Sequence, residues 1–193
     1  MNDELILDII NSIDNKENIL LHGPGGCGKS YCLKYIANYY QLKGKVISCT
    51  STTGVSAINL CDAERKISAT TLHSWSGIGM GTLSAKKLVA KVITKKEARE
   101  RWLNTEILIL DEVSMLGSTL IDKLDYIGKN IRHDDRPFGG LQVIFSGDFL
   151  QLPPVKDDWA FNSDVWSSVN FHPYILTEPK RYDDLDYFNM LLR

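Results

Sequence analysis

Asn18-Ile19-Leu20-Leu21-His22-Gly23-Pro24-Gly25-Gly26-Cys27-Gly28-Lys29-Ser30 decides the fold class. Its first five residues include a short apolar run, long enough for one buried strand. A glycine turn follows, then Lys-Ser, and the pattern over 29–42 reads as a helix that stops near Gly44. Strand, turn and helix in that order are the context that gives G-x-x-x-x-G-K-[ST] its meaning. Glycines let successive backbone N–H groups turn toward phosphate oxygens, and the helix adds its positive N-terminal end. Gly23, Pro24, Gly25, Gly26, Cys27, Gly28, Lys29 and Ser30 are therefore expected to hold nucleotide phosphates. Lys29 would neutralise β/γ-phosphate charge and Ser30 would ligate Mg²⁺. A glycine-rich turn with a chance Lys-Ser would not explain the flanking strand and helix.

Further apolar runs predict four more strands, at 45–50, 106–111, 141–145 and 174–176. Helices are expected at 5–13, from 53 to 60 and over 84–104. Apolar strands alternating with helices imply a parallel sheet covered on both faces, an α/β P-loop fold. Ligands bind at the carboxyl ends of such strands. Ile107-Leu108-Ile109-Leu110 delivers Asp111 and Glu112 to one of these ends. Asp111 would reach the Mg²⁺ and Glu112 would polarise the attacking water as general base. Gln151, beside the stiff Pro153-Pro154 turn, can hydrogen-bond a γ-phosphate or the lytic water.

The 193 residues fit one domain, with a helical insertion at about 77–104. Net charge is −2, so no global positive field draws the chain to nucleic acid. The insertion is locally basic: Lys86, Lys87, Lys91, Lys95, Lys96, Arg99 and Arg101 stand against Glu97 and Glu100. That pattern reads as a solvated helix face, or alternatively as a local nucleic-acid contact. The four cysteines form no CxxC pair, which argues against a disulfide frame or a zinc site. With neither a signal sequence nor an apolar run long enough to span a bilayer, the chain is expected to be soluble and intracellular, cytoplasmic or nuclear.

Taken together, the motifs resemble the first RecA-like domain of superfamily 1 subgroup B DNA helicases, most closely the Pif family, kin to RecD. The resemblance rests on Gly23-to-Ser30, on Thr50-Ser51-Thr52-Thr53-Gly54-Val55-Ser56-Ala57 with Thr71-Leu72-His73-Ser74-Trp75, on Asp111-Glu112-Val113-Ser114-Met115-Leu116, and on Gly139-Gly140-Leu141-Gln142-Val143-Ile144-Phe145-Ser146-Gly147-Asp148-Phe149-Leu150-Gln151-Leu152-Pro153-Pro154-Val155. It implies a 5′-to-3′ helicase motor using ATP and Mg²⁺ on single-stranded or forked DNA. It implies that Gln151 senses the γ-phosphate, that Thr52, Thr53 and Gly54 hold a single-strand backbone, and that His73 and Trp75 lie along the same strand. Arg181, in Leu176-Thr177-Glu178-Pro179-Lys180-Arg181, takes the place of an arginine that contacts the γ-phosphate. His73 and Trp75 have an alternative reading as loop packing, and Trp75 one as a base-stacking platform. Where the family reads adenine with a glutamine near the N-terminus, the first glutamine here is Gln41.

The sequence ends at Arg193 inside a helix expected from about Leu185, so a second RecA-like domain is expected to be absent and the chain a fragment or a truncated, monomeric protein. A different class of function is a nucleotide-gated module that binds a partner without unwinding. A small-molecule P-loop kinase is disfavoured because no arginine-rich lid follows the P-loop.

Overall fold

The computed structural model describes residues 3–178. Helix α1 (Asp3–Asp14) leads into β1 (Asn18–His22), the glycine loop and α2 (Lys29–Leu42). Then come β2 (Ile47–Ser51), α3 (Gly54–Leu60), β3 (Ala69–Thr71) and α4 (Leu72–Ser76). Two helices, α5 (Ala85–Thr94) and α6 (Lys96–Asn104), precede β4 (Ile107–Asp111). Helix α7 (Ser118–Arg132), β5 (Gln142–Gly147), α8 (Asp164–Val169) and β6 (Phe171–Ile175) complete the order.

The six strands are all parallel and lie in the order β3-β2-β4-β5-β1-β6. Side chains alternate between the faces of a strand, and β4 shows the consequence. Ile107 and Ile109 enter the core formed with α1 and α2, whereas Leu108 and Leu110 enter the core formed with α4 to α7. Both faces are therefore apolar and covered, which is why the run reads as continuous rather than alternating.

The segment expected to form one helix over 84–104 breaks at Lys95, whose backbone is extended (φ −93°, ψ 94°). Leu88 and Val92 of α5 and Ala98 and Trp102 of α6 all reach one core. Ten residues separate the two pairs, which on a straight helix would point them roughly 80° apart. The break at Lys95 brings both to the same place. The insertion thus packs against α7 within the domain core. Its basic residues also bond the chain around α4: Arg101 donates to the carbonyls of Trp75 (2.7 Å) and Ser74 (3.0 Å) in that helix, and Lys91 to that of Ile78 (3.0 Å) just after it.

The last strand begins earlier than its apolar residues suggest, because it contains Pro173 opposite Leu20. Proline donates nothing to a ladder, and β6 tolerates it as an edge strand. All four cysteines are free thiols. Among the described residues no helix is long and apolar enough to cross a membrane.

Candidate nucleotide site and strand-end face

Strand order sets the layout of the functional face. Along the carboxyl edge, His73 follows β3, Thr52 to Gly54 follow β2, and Asp111 and Glu112 close β4. Asp148 and Gln151 follow β5, and the glycine loop follows β1. With neighbouring strands about 4.8 Å apart, the carboxylates stand between the phosphate loop and the residues expected to hold DNA.

A cleft of about 450 Å³ opens at this edge, lined by Gly25, Gly26 and Gly28, by Lys29, Ser30 and Tyr31 of α2, and by Asp111, Glu112 and Gln151. Gly28 caps α2 with φ +88°, a left-handed conformation that glycine adopts without a Cβ penalty. The Gln151 amide lies against the loop at Gly25, where a Cβ would stand 3.4 Å from its Nε2. Lys29 Nζ donates to the carbonyls of Gly23 (2.5 Å) and Pro24 (2.9 Å). An ammonium held by two neutral carbonyls beside an amide-lined loop is suited to an anion. Cys27 is buried in the loop, and burial pushes its thiol pKa up.

The Ser30 hydroxyl donates to Asp111 Oδ2 at 3.3 Å. This joins the two expected metal ligands across 81 residues of sequence. Burial raises the Asp111 pKa, against the opposing pull of the Glu112 N–H, which donates to Oδ1 at 3.0 Å, and of the Lys29 charge. Glu112 adopts φ +57°, ψ 45°. Such left-handed geometry in a residue with a Cβ is uncommon and concentrates at functional sites. Burial first, and the Asp111 charge second, raise its carboxyl pKa, while Lys29 pulls it down. Carboxyls raised by burial and a neighbouring charge recur at functional sites.

Gln151 Nε2 donates to Asp148 Oδ2 at 3.0 Å. The loop that carries it is anchored by Phe149, whose ring lies near those of His22 (5.9 Å), Phe161 (5.3 Å) and Trp166 (5.7 Å). Thr52 bonds directly to the end of β4. Its hydroxyl donates to the Glu112 carbonyl (3.0 Å) and its N–H to the Asp111 carbonyl (3.3 Å). Thr53 caps α3, accepting from Ser56 N–H at 3.2 Å. Gly54 is exposed, and His73 is half-buried, which lowers its pKa and favours the neutral ring.

Trp75 requires a correction. It is 3% exposed and packs on Trp102 with centroids 4.6 Å apart. Its ring is part of the core and offers no face to a base, so the packing alternative is the one the structure matches. Trp75→Ala is expected to cost about 3–5 kcal/mol of stability, the usual range for emptying a large buried aromatic site. Chemical denaturation followed by circular dichroism measures it. An unchanged midpoint would return Trp75 to the surface. Arg181, Pro179 and Lys180 and the helix expected from about Leu185 lie outside the described residues. Tyr31, in the cleft, was not among the residues singled out from sequence. Its position directly after Ser30 was the available signal.

A parallel sheet with helices on both faces, a glycine loop between β1 and α2, and paired carboxylates at the end of β4 define an α/β P-loop fold of the RecA-like type. The comparisons with known proteins narrow this. Residues 2–173 match the profile of the PIF1-like helicases. The ATP-dependent DNA helicase PIF1 of Saccharomyces cerevisiae (strain YJM789) is 41% identical over 196 residues, covering 96% of this chain and 22% of that protein. The crystal structure of Pif1 helicase from Candida albicans superposes with a TM-score of 0.88 at 33% identity, over 97% of this chain and 42% of that one. Pif1 helicase from Bacteroides, in complex with ADP-AlF3 and ssDNA, gives 0.76 at 30% identity, over 97% and 44%. The chain belongs to the PIF1-like helicase family. It spans about a quarter of the length of the curated relatives it matches.

Proposed function

We propose that this chain is the first ATPase domain of an ATP-dependent DNA helicase, hydrolysing ATP to drive 5′-to-3′ movement on single-stranded DNA. The observation that carries the reading is the convergence of Lys29, Ser30, Asp111, Glu112 and Gln151 on one cleft. The loop amides from Gly25 to Gly28 would receive the phosphates, and Lys29 Nζ would exchange its two carbonyl partners for them. Ser30 and Asp111, already joined, would ligate Mg²⁺, which when bound neutralises phosphate charge. Glu112 would accept a proton from the attacking water, and Gln151 would orient that water or the γ-phosphate. The Thr52 bond to the Glu112 backbone gives a strand held at Thr52 to Gly54 and His73 a short route to the base. The Bacteroides relative was crystallised in complex with both ADP-AlF3 and ssDNA, which supports a reading in which this chain serves both nucleotide and DNA. A single-stranded or forked DNA partner and a second RecA-like domain complete the proposal.

Lys29→Ala tests the phosphate site. Removing a charged contact from such a site costs on the order of 3 kcal/mol, or about a hundredfold in affinity. Fluorescent nucleotide titration reads it, and unchanged affinity would refute the assignment.

A further inference from the structure

Gln151 sits early in the loop that follows β5. The near end of this loop is fixed, because Asp148 accepts from the Gln151 amide at 3.0 Å and from the Leu150 N–H at 3.1 Å. Packing does not hold its middle, where Leu150, Leu152 and Val155 are 85%, 68% and 78% exposed. Where the loop lies then depends on its far end as well.

At that end the Asp157 carboxylate reaches the first turn of α7. Its Oδ1 accepts from the Thr119 hydroxyl (2.9 Å), the Thr119 N–H (3.3 Å) and the Ser118 hydroxyl (3.4 Å), and from the Asp158 N–H (2.9 Å). The Ser118 N–H donates to the Asp158 carbonyl at 2.8 Å. A carboxylate here satisfies a helix N–H that lacks an intrahelical acceptor, and it meets the positive end of the helix dipole. Burial opposes its charge, yet the donors outweigh burial and the Asp157 pKa is lowered. Gly117 makes the room: a Cβ there would collide with the Asp157 carboxylate, although its backbone (φ −89°) suits any residue. Gly117 lies five residues beyond Glu112. One 3₁₀ turn, Val113–Met115, joins them, with Val113 and Leu116 wholly buried. The segment leaving Glu112 and the loop carrying Gln151 thus meet at one clasp. Between Gln151 and the clasp stand Pro153 and Pro154, whose fixed φ stiffens the connection.

We propose that Asp157 is a positioning residue, which fixes Gln151 relative to Glu112 by clasping the far end of its loop to the start of α7. The inference rests on the roles proposed above for Gln151 and Glu112, and its test separates the two. Single-turnover ATP hydrolysis and Mg²⁺-ATP affinity of the 193-residue chain are compared for wild type, Asp157→Ala, Asp157→Asn, Gly117→Ala, Gln151→Ala and the Asp157→Ala, Gln151→Ala double variant. Circular dichroism follows folding in each. Asp157→Ala and Gly117→Ala should each slow hydrolysis on the order of tenfold, short of the roughly 10²-fold that a misplacement of about 1 Å can cost. ATP affinity should be unchanged in both. Asp157→Asn keeps the acceptor oxygen and should recover most of the rate. In the double variant the loss of Asp157 should cost nothing beyond Gln151→Ala, because both substitutions act through one side chain. Losses that multiply in the double variant would overturn the proposal, and so would a wild-type rate in a folded Asp157→Ala. Unfolding of both Asp157→Ala and Gly117→Ala would reduce the clasp to a support of the fold and overturn it too. If Gln151→Ala alone hydrolyses normally, the role of Gln151 is wrong and the positioning proposal falls with it.

Discussion

The purified 193-residue chain is expected to bind Mg²⁺-ATP, to hydrolyse it very slowly, and to leave a forked duplex intact. The described residues form one sheet, and Lys29, Ser30, Asp111, Glu112 and Gln151 line one cleft at its carboxyl edge. An arginine donated from an opposing surface stabilises transition-state charge in P-loop enzymes, and its loss costs about 10³- to 10⁵-fold in rate. Unwinding needs more than chemistry. Nucleotide can move an equilibrium only between states that bind it differently, and a single wall has no second DNA-gripping surface to approach or release. A forked-duplex assay with single-turnover phosphate release measures both quantities. ATP-dependent strand separation that disappears in Lys29→Ala would show that one domain suffices and would overturn the two-domain mechanism.

Glu112→Gln is expected to keep Mg²⁺-nucleotide affinity while hydrolysis falls by on the order of 10²-fold or more, the contribution of a positioned general base. The substitution keeps the side chain's size and removes only its ability to take a proton. Asp111→Ala should act differently, weakening the metal-dependent part of binding. The pH profile supplies a second, independent reading. Burial and the Asp111 charge hold the Glu112 pKa above the usual glutamate value. The base is therefore active when deprotonated, at pH above that raised pKa, and hydrolysis is lost as pH falls through it. The acid limb should lie at higher pH than an ordinary glutamate would give. Single-turnover rates across pH check this, and a residual Glu112→Gln rate that keeps the same limb would assign the titration to another group.

The parts of the fold that were legible in the sequence share a physical cause. Strand β4 is buried at all five positions, so Ile107 to Leu110 appears as an unbroken aliphatic run. The phosphate loop is legible because its glycines, lysine and serine act through local backbone geometry. The rest depends on distant partners. The three-residue β3 has no apolar run of its own, and it exists because β2 offers an edge. Helix α7 has its signal in Ile121, Leu124, Ile127 and Ile131, which recur at helical spacing and are buried, but its sequence carries no motif that ties it to the site. Trp75 was open to two readings because its partner Trp102 is 27 residues away, and only the fold brings them together. The hydrogen bond from Thr52 to the Glu112 carbonyl spans 60 residues, and no spacing rule reaches it.

The most direct test of the central claim is a crystal structure of the chain with a non-hydrolysable ATP analogue and Mn²⁺ in place of Mg²⁺, with the metal located by anomalous scattering. The expected result places the manganese peak between Ser30 Oγ and Asp111, the phosphates beneath the amides of Gly25 to Gly28, and Lys29 Nζ turned from the Gly23 and Pro24 carbonyls onto phosphate oxygen. A nucleotide bound elsewhere, with Lys29 still on those carbonyls and no metal at Asp111, would contradict it.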